Sequence, residues 1–297
     1  MHKTGLLYVL LISTILIAFI SCVTQKKVVS VKKELAVIDS QLQQYGKTLN
    51  DLEVQLLNKQ RQNEMDDTTS SRIQTFIGKT NTEIDTLVNQ NSILIGNVVV
   101  NKMDWEKLQK SFAFSQKTST NLKNKVLLIS DLISSNTVVK IDQDVFFKTG
   151  QYTVAPSVVA TIGSLFEPAA KEIDLFTKKY PEFTLSLVIT AKGYADATTI
   201  GEGSLLYRDL KERLKLSGKE PDSKELNKEL SRARAEAVKN LFINFAAAQS
   251  DNKIFLRKVL YLHEGKGEVL PDPKITDYKP DDPRRRVVLL FWSVFPE

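Results

Sequence analysis

Phe183-Thr184-Leu185-Ser186-Leu187-Val188-Ile189-Thr190-Ala191-Lys192-Gly193-Tyr194-Ala195-Asp196 decides the fold of the C-terminal half. Its apolar part, Phe183 to Thr190, reads as a strand, which leaves Asp196 at the mouth of the loop that follows. Downstream, a helical pattern runs from about Ser223 to Ala247, and strands are expected near Leu256 to Leu262 and Arg286 to Trp292. Upstream, Thr137 to Ile141 alternates weakly as a strand, and a helical pattern runs from about Ser157 to Lys179. Strand, helix, strand, helix, strand, strand predicts an α+β fold: a mixed β-sheet with helices packed on one side. The 197–226 stretch is a long insertion, in which Leu205 to Leu214 has the pattern of a short amphipathic helix on the surface.

Four short motifs stand in a fixed order along this half. They are Gly193-Tyr194-Ala195-Asp196, Asn227-Lys228-Glu229-Leu230-Ser231-Arg232-Ala233-Arg234-Ala235, Gly265-Lys266-Gly267-Glu268, and Arg284-Arg285-Arg286-Val287. The order resembles the OmpA-like (OmpA/MotB) C-terminal peptidoglycan-binding domain family, whose pattern reads G-H-T-D, N-x-x-L-S-x-x-R-A, G-x-G-E and N-R-R-V. Phe146-Phe147-Lys148-Thr149-Gly150 is similar to the family's F-x-x-G entry to its first helix. The resemblance implies a noncatalytic domain that binds the stem peptide of peptidoglycan. In many walls that peptide carries a diaminopimelate residue whose side chain ends in one ammonium and one carboxylate on the same carbon. An acid suits the ammonium and a planar, permanently charged fork suits the carboxylate. By resemblance Asp196 receives the ammonium and Arg234 clamps the carboxylate, with Asn227 and Arg286 as further ligand-binding candidates. A capping or bracing role for Asn227 is an equal alternative. Of the arginines, Arg285 and Arg286 match the family's pair and Arg284 replaces its Asn, but strand alternation sends neighbours to opposite faces, so not all line one cleft. Tyr194 stands where the family has His, and any contact from that imidazole is lost.

Residues Gly5 to Val23 form an uncharged apolar run behind Lys3. At about 1.5 Å per residue the run just spans a bilayer core of roughly 30 Å. We read residues 1–22 as a signal peptide whose end, Phe19-Ile20-Ser21-Cys22, is similar to a bacterial lipobox, with Cys22 the acylated residue. The alternative is an uncleaved single span. Lys26, Lys27, Lys32 and Lys33 would favour holding the following chain in the cytoplasm, whereas wall binding demands export. The motifs decide for export, and the expected place is the bacterial cell envelope: an outer-membrane lipoprotein facing the periplasm, or an inner-membrane single-span protein with a periplasmic domain.

Residues 23–134 read as a helical coiled-coil spacer ahead of a 135–297 domain. From Val28, Val31, Leu35, Ile38, Leu42, Tyr45, Leu49, Leu52 and Leu56 alternate spacings of three and four, an a/d seam that would leave an apolar stripe in water on a lone helix. Asp66-Asp67-Thr68-Thr69-Ser70-Ser71 reads as a turn-prone interruption. Ile73, Ile77, Ile84 and Leu87 then suggest a second helix, and a third seam runs from Trp105 through Ser115 and Ser119 to Ile133. The seam predicts a homo-oligomer paired through the coiled coil; antiparallel helices within one chain are the alternative. Trp105 lies in register with the third seam and is expected to pack.

Composition narrows the remaining classes. The chain has 297 residues, 42% of them hydrophobic, and a single cysteine excludes an internal disulfide framework. The net charge of +6 comes from basic residues scattered among nearly as many acids, with no basic cluster interleaved with aromatics, so nucleic acid is not an expected partner. The only histidines are His2 and His263, so no histidine-rich metal site is available, and no cofactor or catalytic set is called for. An Asp196, His263 and Glu268 hydrolytic set is the weakest alternative. A stator subunit that couples ion flow to motion needs an ionisable group in the membrane, and Gly5 to Cys22 contains no Asp or Glu.

Overall fold

The computed structural model describes residues 25–99, 101–135, 138–148, 150–154, 158, 162–216, 218–248 and 258–296. The apolar run before Thr24, and with it Cys22, lies outside them. Among the described residues no helix is long and apolar enough to cross a membrane. The chain divides into two compact units, one of residues up to Glu53 with Thr75–Ser130, the other of Val54–Gln74 with Asp131–Glu297.

The first unit is built from most of α1 (Gln25–Arg61), α2 (Asp67–Gly96) and α3 (Lys102–Ser134), whose stretches 54–61, 67–74 and 131–134 belong to the second. Lys32 Nζ donates to the carbonyls of Ile95 and Asn97 at 2.6 Å each, and Asn91 Nδ2 donates to Asp39 Oδ1 at 2.7 Å. Numbers rising along α1 meet numbers falling along α2, so the two run antiparallel. A Lys125–Glu83 ion pair of 2.6 Å ties α3 to α2. The seam residues Leu35, Leu42 and Leu49 are fully buried, as are Ile77, Ile84, Leu108 and Leu122. The partner that the apolar stripe demands is therefore supplied by the same chain, and the stripe no longer calls for a second copy. Ser115 and Ser119 are buried within the third seam as well.

The interruption falls earlier than the 66–71 stretch that the sequence predicts. Its turn lies at 62–66, where Asn63 takes a positive φ of 54°, and Asp67 to Ser71 are already helical. Asp66 explains why: its Oδ1 accepts from the backbone N–H groups of Thr68 and Thr69 at 3.0 and 3.2 Å, the signature of an N-cap. Residues that disfavour a helix interior favour its first turn.

In the second unit β1 (Val138–Asp142), β2 (Leu185–Gly193), β3 (Lys258–Gly265) and β4 (Val287–Pro296) form one sheet in the order β1-β4-β2-β3. β2 and β3 are parallel, while β4 is antiparallel to both β1 and β2, so the sheet is mixed and the α+β class holds. The helices of this unit are α4 (Gln143–Phe146), α5 (Ile162–Lys179), α6 (Leu205–Leu214) and α7 (Ser223–Ala248). α7 is the crossover between the parallel pair. It starts with Asp222 accepting from Glu225 N at 2.8 Å while Glu225 Oε2 accepts from Asp222 N at 2.9 Å, a capping box. α5 packs on α7 through Phe166, whose ring meets Phe242 edge-on at 5.1 Å.

Every residue of β2 is buried, which needs cover on both faces. Gly193 presents one face to α7. On the other, Lys192 Nζ reaches Asp67 Oδ2 at 3.1 Å, Thr190 Oγ1 lies 3.5 Å from Asp66 Oδ1, and the Arg72 guanidinium sits 5.7 Å over the Phe295 ring. The turn between α1 and α2 is thus the lid of that face. Asn63 donating to the Pro271 carbonyl at 3.1 Å and Lys274 pairing with Glu64 at 2.7 Å fasten its edge.

Candidate functional site

Two glycines set how near α7 can come to the strand ends. A Cβ on Gly193 would stand 2.0 Å from the Ser231 carbonyl oxygen, and one on Gly265 would stand 2.3 Å from that of Lys228. Real Cβ atoms do not approach so closely, so both motif positions need the missing side chain for contact with the helix. Ser231 completes the join: its hydroxyl accepts from the Gly267 N–H at 2.9 Å while donating to the Lys228 carbonyl at 2.8 Å.

The loop after β2 is pinned by its backbone. Tyr194 N donates to the Val287 carbonyl at 2.9 Å, Ala195 N to Gly267 at 2.8 Å, and Ala197 N to Pro280 at 2.7 Å. Three of the four motifs therefore meet at Asp196, and α7 carries the fourth alongside. Tyr194 itself turns into the core with Val287, Leu289 and Phe291, where burial pushes its phenol pKa well above the usual value. It is a packing residue.

Asp196 is nearly buried and its Oδ1 accepts weakly from Thr198 N at 3.3 Å. Its Oδ2 faces Arg286 Nε at 3.4 Å, and Arg286 Nη1 lies 3.4 Å from Asp144 Oδ1. Both distances are long for charge-assisted pairs. Arg286 Nε is sealed from solvent and makes no hydrogen bond among the described residues.

Arg234 is 7% exposed. Its Nε donates to the Gln151 carbonyl at 3.1 Å, its Nη1 to Gln143 Oε1, and the guanidinium lies 5.5 Å over the Phe147 ring. Burial lowers its pKa to about 10, the carboxylates of Asp144 and Asp196 work against that shift, and Arg286 adds to it. Two guanidinium and two carboxylate groups thus lie within one another's field. The second guanidinium arm of Arg234, Nη2, makes no hydrogen bond among the described residues.

Asn227 is one full turn inside α7, past its cap. Its Nδ2 donates to Glu268 Oε1 at 2.9 Å and to the Thr198 carbonyl at 3.3 Å, so the amide braces the two motif loops against each other. Arg285 and Arg286 part company, but not by strand alternation, because Pro283–Arg285 is a single 3-10 turn with Arg286 as its C-cap and β4 begins only at Val287: Arg285 donates to the carbonyls of Lys279, Pro280 and Glu268, holding a loop, while Arg286 turns to the two acids. Arg284 pairs with Asp282 at 2.6 Å and Asp277 at 3.2 Å.

Gln143, Asp144 and Gln151 are the participants that sequence reading missed. Gln143 donates its Nε2 to the carbonyls of Tyr194 and Val287 at 2.8 Å each, and its N–H to Arg286 at 3.0 Å. It lies outside the four motifs, and only its place just after β1 could have pointed to it. The insertion forms α6, capped by Ser204 accepting from Tyr207 N at 3.1 Å. Tyr207 and Leu210 pack with Leu226 and Leu230 of α7 and with Tyr152, beside the Gln151 carbonyl that holds Arg234. The acid–histidine set does not assemble through direct contacts: His263 has Lys239 at 3.4 Å and Glu236 at 4.0 Å, while Glu268 is occupied by Asn227.

No protein-family model and no curated protein matches the chain. Among solved structures it is similar to the periplasmic domain of Helicobacter pylori MotB, at 14% identity over 52% of this chain and 74% of that one, with a TM-score of 0.28.

Proposed function

We propose that the charged cluster of Asp196, Arg234 and Arg286 binds the peptidoglycan stem peptide without catalysing a reaction, and that the chain thereby tethers an envelope membrane to the cell wall. The observation that carries this reading is the sealed Arg286 Nε, held to Asp196 only by a long 3.4 Å ion pair with no hydrogen bond, beside the buried guanidinium of Arg234. A buried donor whose facing acceptor is too long for a hydrogen bond forgoes part of a charge-assisted bond of about 1.5–3 kcal/mol, which a ligand carboxylate among these groups would restore. Equal numbers of guanidinium and carboxylate groups leave the cluster neutral, which suits a zwitterion better than a net anion or cation. Asp196 takes the ammonium; Arg234, with Arg286 beside it, takes the carboxylate.

Charge-assisted bonds contribute about 1.5–3 kcal/mol each, and ordering a flexible peptide offsets part of that gain. A single site is then weak, roughly millimolar to micromolar, and the polymeric wall supplies retention through many sites. Membrane attachment in this reading comes from the N-terminal run, through acylated Cys22 or an uncleaved span.

Cosedimentation of the protein with purified peptidoglycan tests the site, comparing wild type with Asp196→Asn and Arg234→Lys after circular dichroism has shown each to be folded. The first removes charge at nearly constant shape; the second keeps the charge but loses the fork. Wild type alone is expected in the pellet. Pelleting of all three would place the grip elsewhere, and pelleting of none would remove peptidoglycan as the ligand.

A further inference from the structure

One end of the three-helix unit gathers several exposed apolar side chains. Val29 near the start of α1, Ile93 near the end of α2, Val98 in the connection and Met103 at the start of α3 are 48%, 63%, 79% and 61% exposed. Lys32, bonded to Ile95 and Asn97, fixes the level at which α1 passes this end. At 1.5 Å per residue Val29 lies about 4.5 Å beyond that level and Ile93 roughly 3 Å short of Ile95, so these side chains fall within a slab of about 8 Å. Val37, Phe114 and Leu127 are exposed farther along the same helices, so what marks this end is the grouping of four such side chains.

The same end is basic. The first ten residues of α1 hold Lys26, Lys27, Lys32 and Lys33 against Glu34 alone, and the connection 97–101 carries no charge. Trp105, two residues after Met103 in the first turn of α3, is half-buried. The apolar run Gly5 to Val23 precedes α1 with only Thr24 between them. The start of α3 adds Lys102 and Lys107 against Asp104 and Glu106, so the end stays net basic. Exposed apolar side chains beside a run of lysines, with an amphipathic aromatic nearby, suit the headgroup region of an anionic bilayer, into which interfacial elements sink by roughly 5–10 Å.

We propose that this end of the three-helix unit is a docking surface for an anionic lipid bilayer, so that the unit is seated on the membrane and does not hang from it by a free tether. The inference rests on the reading of the N-terminal run as the membrane attachment. Each lysine near such a surface contributes about 1 kcal/mol, and the apolar side chains fix the depth.

The test uses the full chain reconstituted in phosphatidylcholine–phosphatidylglycerol vesicles whose acyl chains carry bromine, a contact quencher of tryptophan emission. The chain has two tryptophans, Trp105 and Trp292, and Trp292 is buried in β4. The part of the emission lost to bromine is expected to disappear in Trp105→Phe. It is also expected to fall by half or more when Ile93, Val98 and Met103 are all changed to Ser, while the protein still floats with the vesicles. Phosphatidylcholine alone is expected to give weaker quenching. A chain that floats with Trp105 unquenched, or a triple variant quenched like wild type, overturns the docking surface and leaves the attachment reading standing. Equal quenching without phosphatidylglycerol removes the role of the lysines. A chain that fails to float brings down attachment and docking together.

Discussion

Asp196 is held by a backbone-pinned loop and touches its neighbours only loosely, which separates its contribution to binding from its contribution to folding. Losing one charge-assisted hydrogen bond is worth about 1.5–3 kcal/mol, so Asp196→Asn is expected to weaken wall binding roughly ten- to hundredfold with little change in unfolding midpoint. Arg234→Lys is expected to affect both, because Gln143 and Gln151 lose a partner that an ammonium on a flexible stem cannot replace at both positions. His263 offers a prediction in pH. Burial, and next the Lys239 ammonium, hold its pKa below the ordinary 6.5. The unfolded chain therefore takes up the proton more readily. The corresponding stability is present above about pH 6.5 and is lost as pH falls through the window between the unfolded and folded values. Urea midpoints measured from neutral pH downward should fall less steeply in His263→Gln than in wild type; parallel curves would show that the imidazole does not sense this environment.

At the scale of elements, the join between α7 and the ends of β2 and β3 depends on absent side chains. Gly193→Ala drives a methyl group into the Ser231 carbonyl and Gly265→Ala into that of Lys228, both backbone atoms that move only if the helix moves. Overpacking of this kind costs about 1–3 kcal/mol, and the upper end is expected for each substitution in chemical denaturation. Wall binding should weaken as well, because α7 carries Arg234. An alanine at either position that unfolds like wild type would mean that α7 has room to retreat. The glycines were legible as motif letters, yet their reason was not, since a close approach of two backbones leaves no mark in the sequence beyond the glycine.

At the scale of the whole molecule, the unit that holds the sheet takes in more than residues 135–297. The face of the sheet bearing Lys192, Phe291 and Phe295 is covered by Val54–Gln74, a segment that precedes β1 by more than sixty positions in the sequence. Cutting the chain to residues 135–297 removes that cover, exposing Leu289, Phe291 and Phe295, each of which is worth about 1.5–3 kcal/mol when buried. The shortened chain is expected to bind a hydrophobic dye and to melt well below the full chain. A cut chain that melts as the full chain does would show the sheet to be self-sufficient.

What the residues determined unaided was the local order: strands and helices from their periodicity, the three helical seams, the short insertion helix, and the motif positions Asp196, Arg234 and Arg286. These follow from spacing and chemistry along the chain, which packing did not override. The tertiary structure alone decided which surfaces those elements meet. The stripe on α1 found its partners on α2 and α3 of the same chain, because a folded-back helix is always at hand whereas a second copy must be captured from solution. The turn at 62–66 became a lid for the sheet, and Gln143 became the partner that orients Arg234. Such pairings depend on where remote segments come to rest, and a one-dimensional pattern of apolar and polar residues is satisfied equally by several partners until the fold selects one.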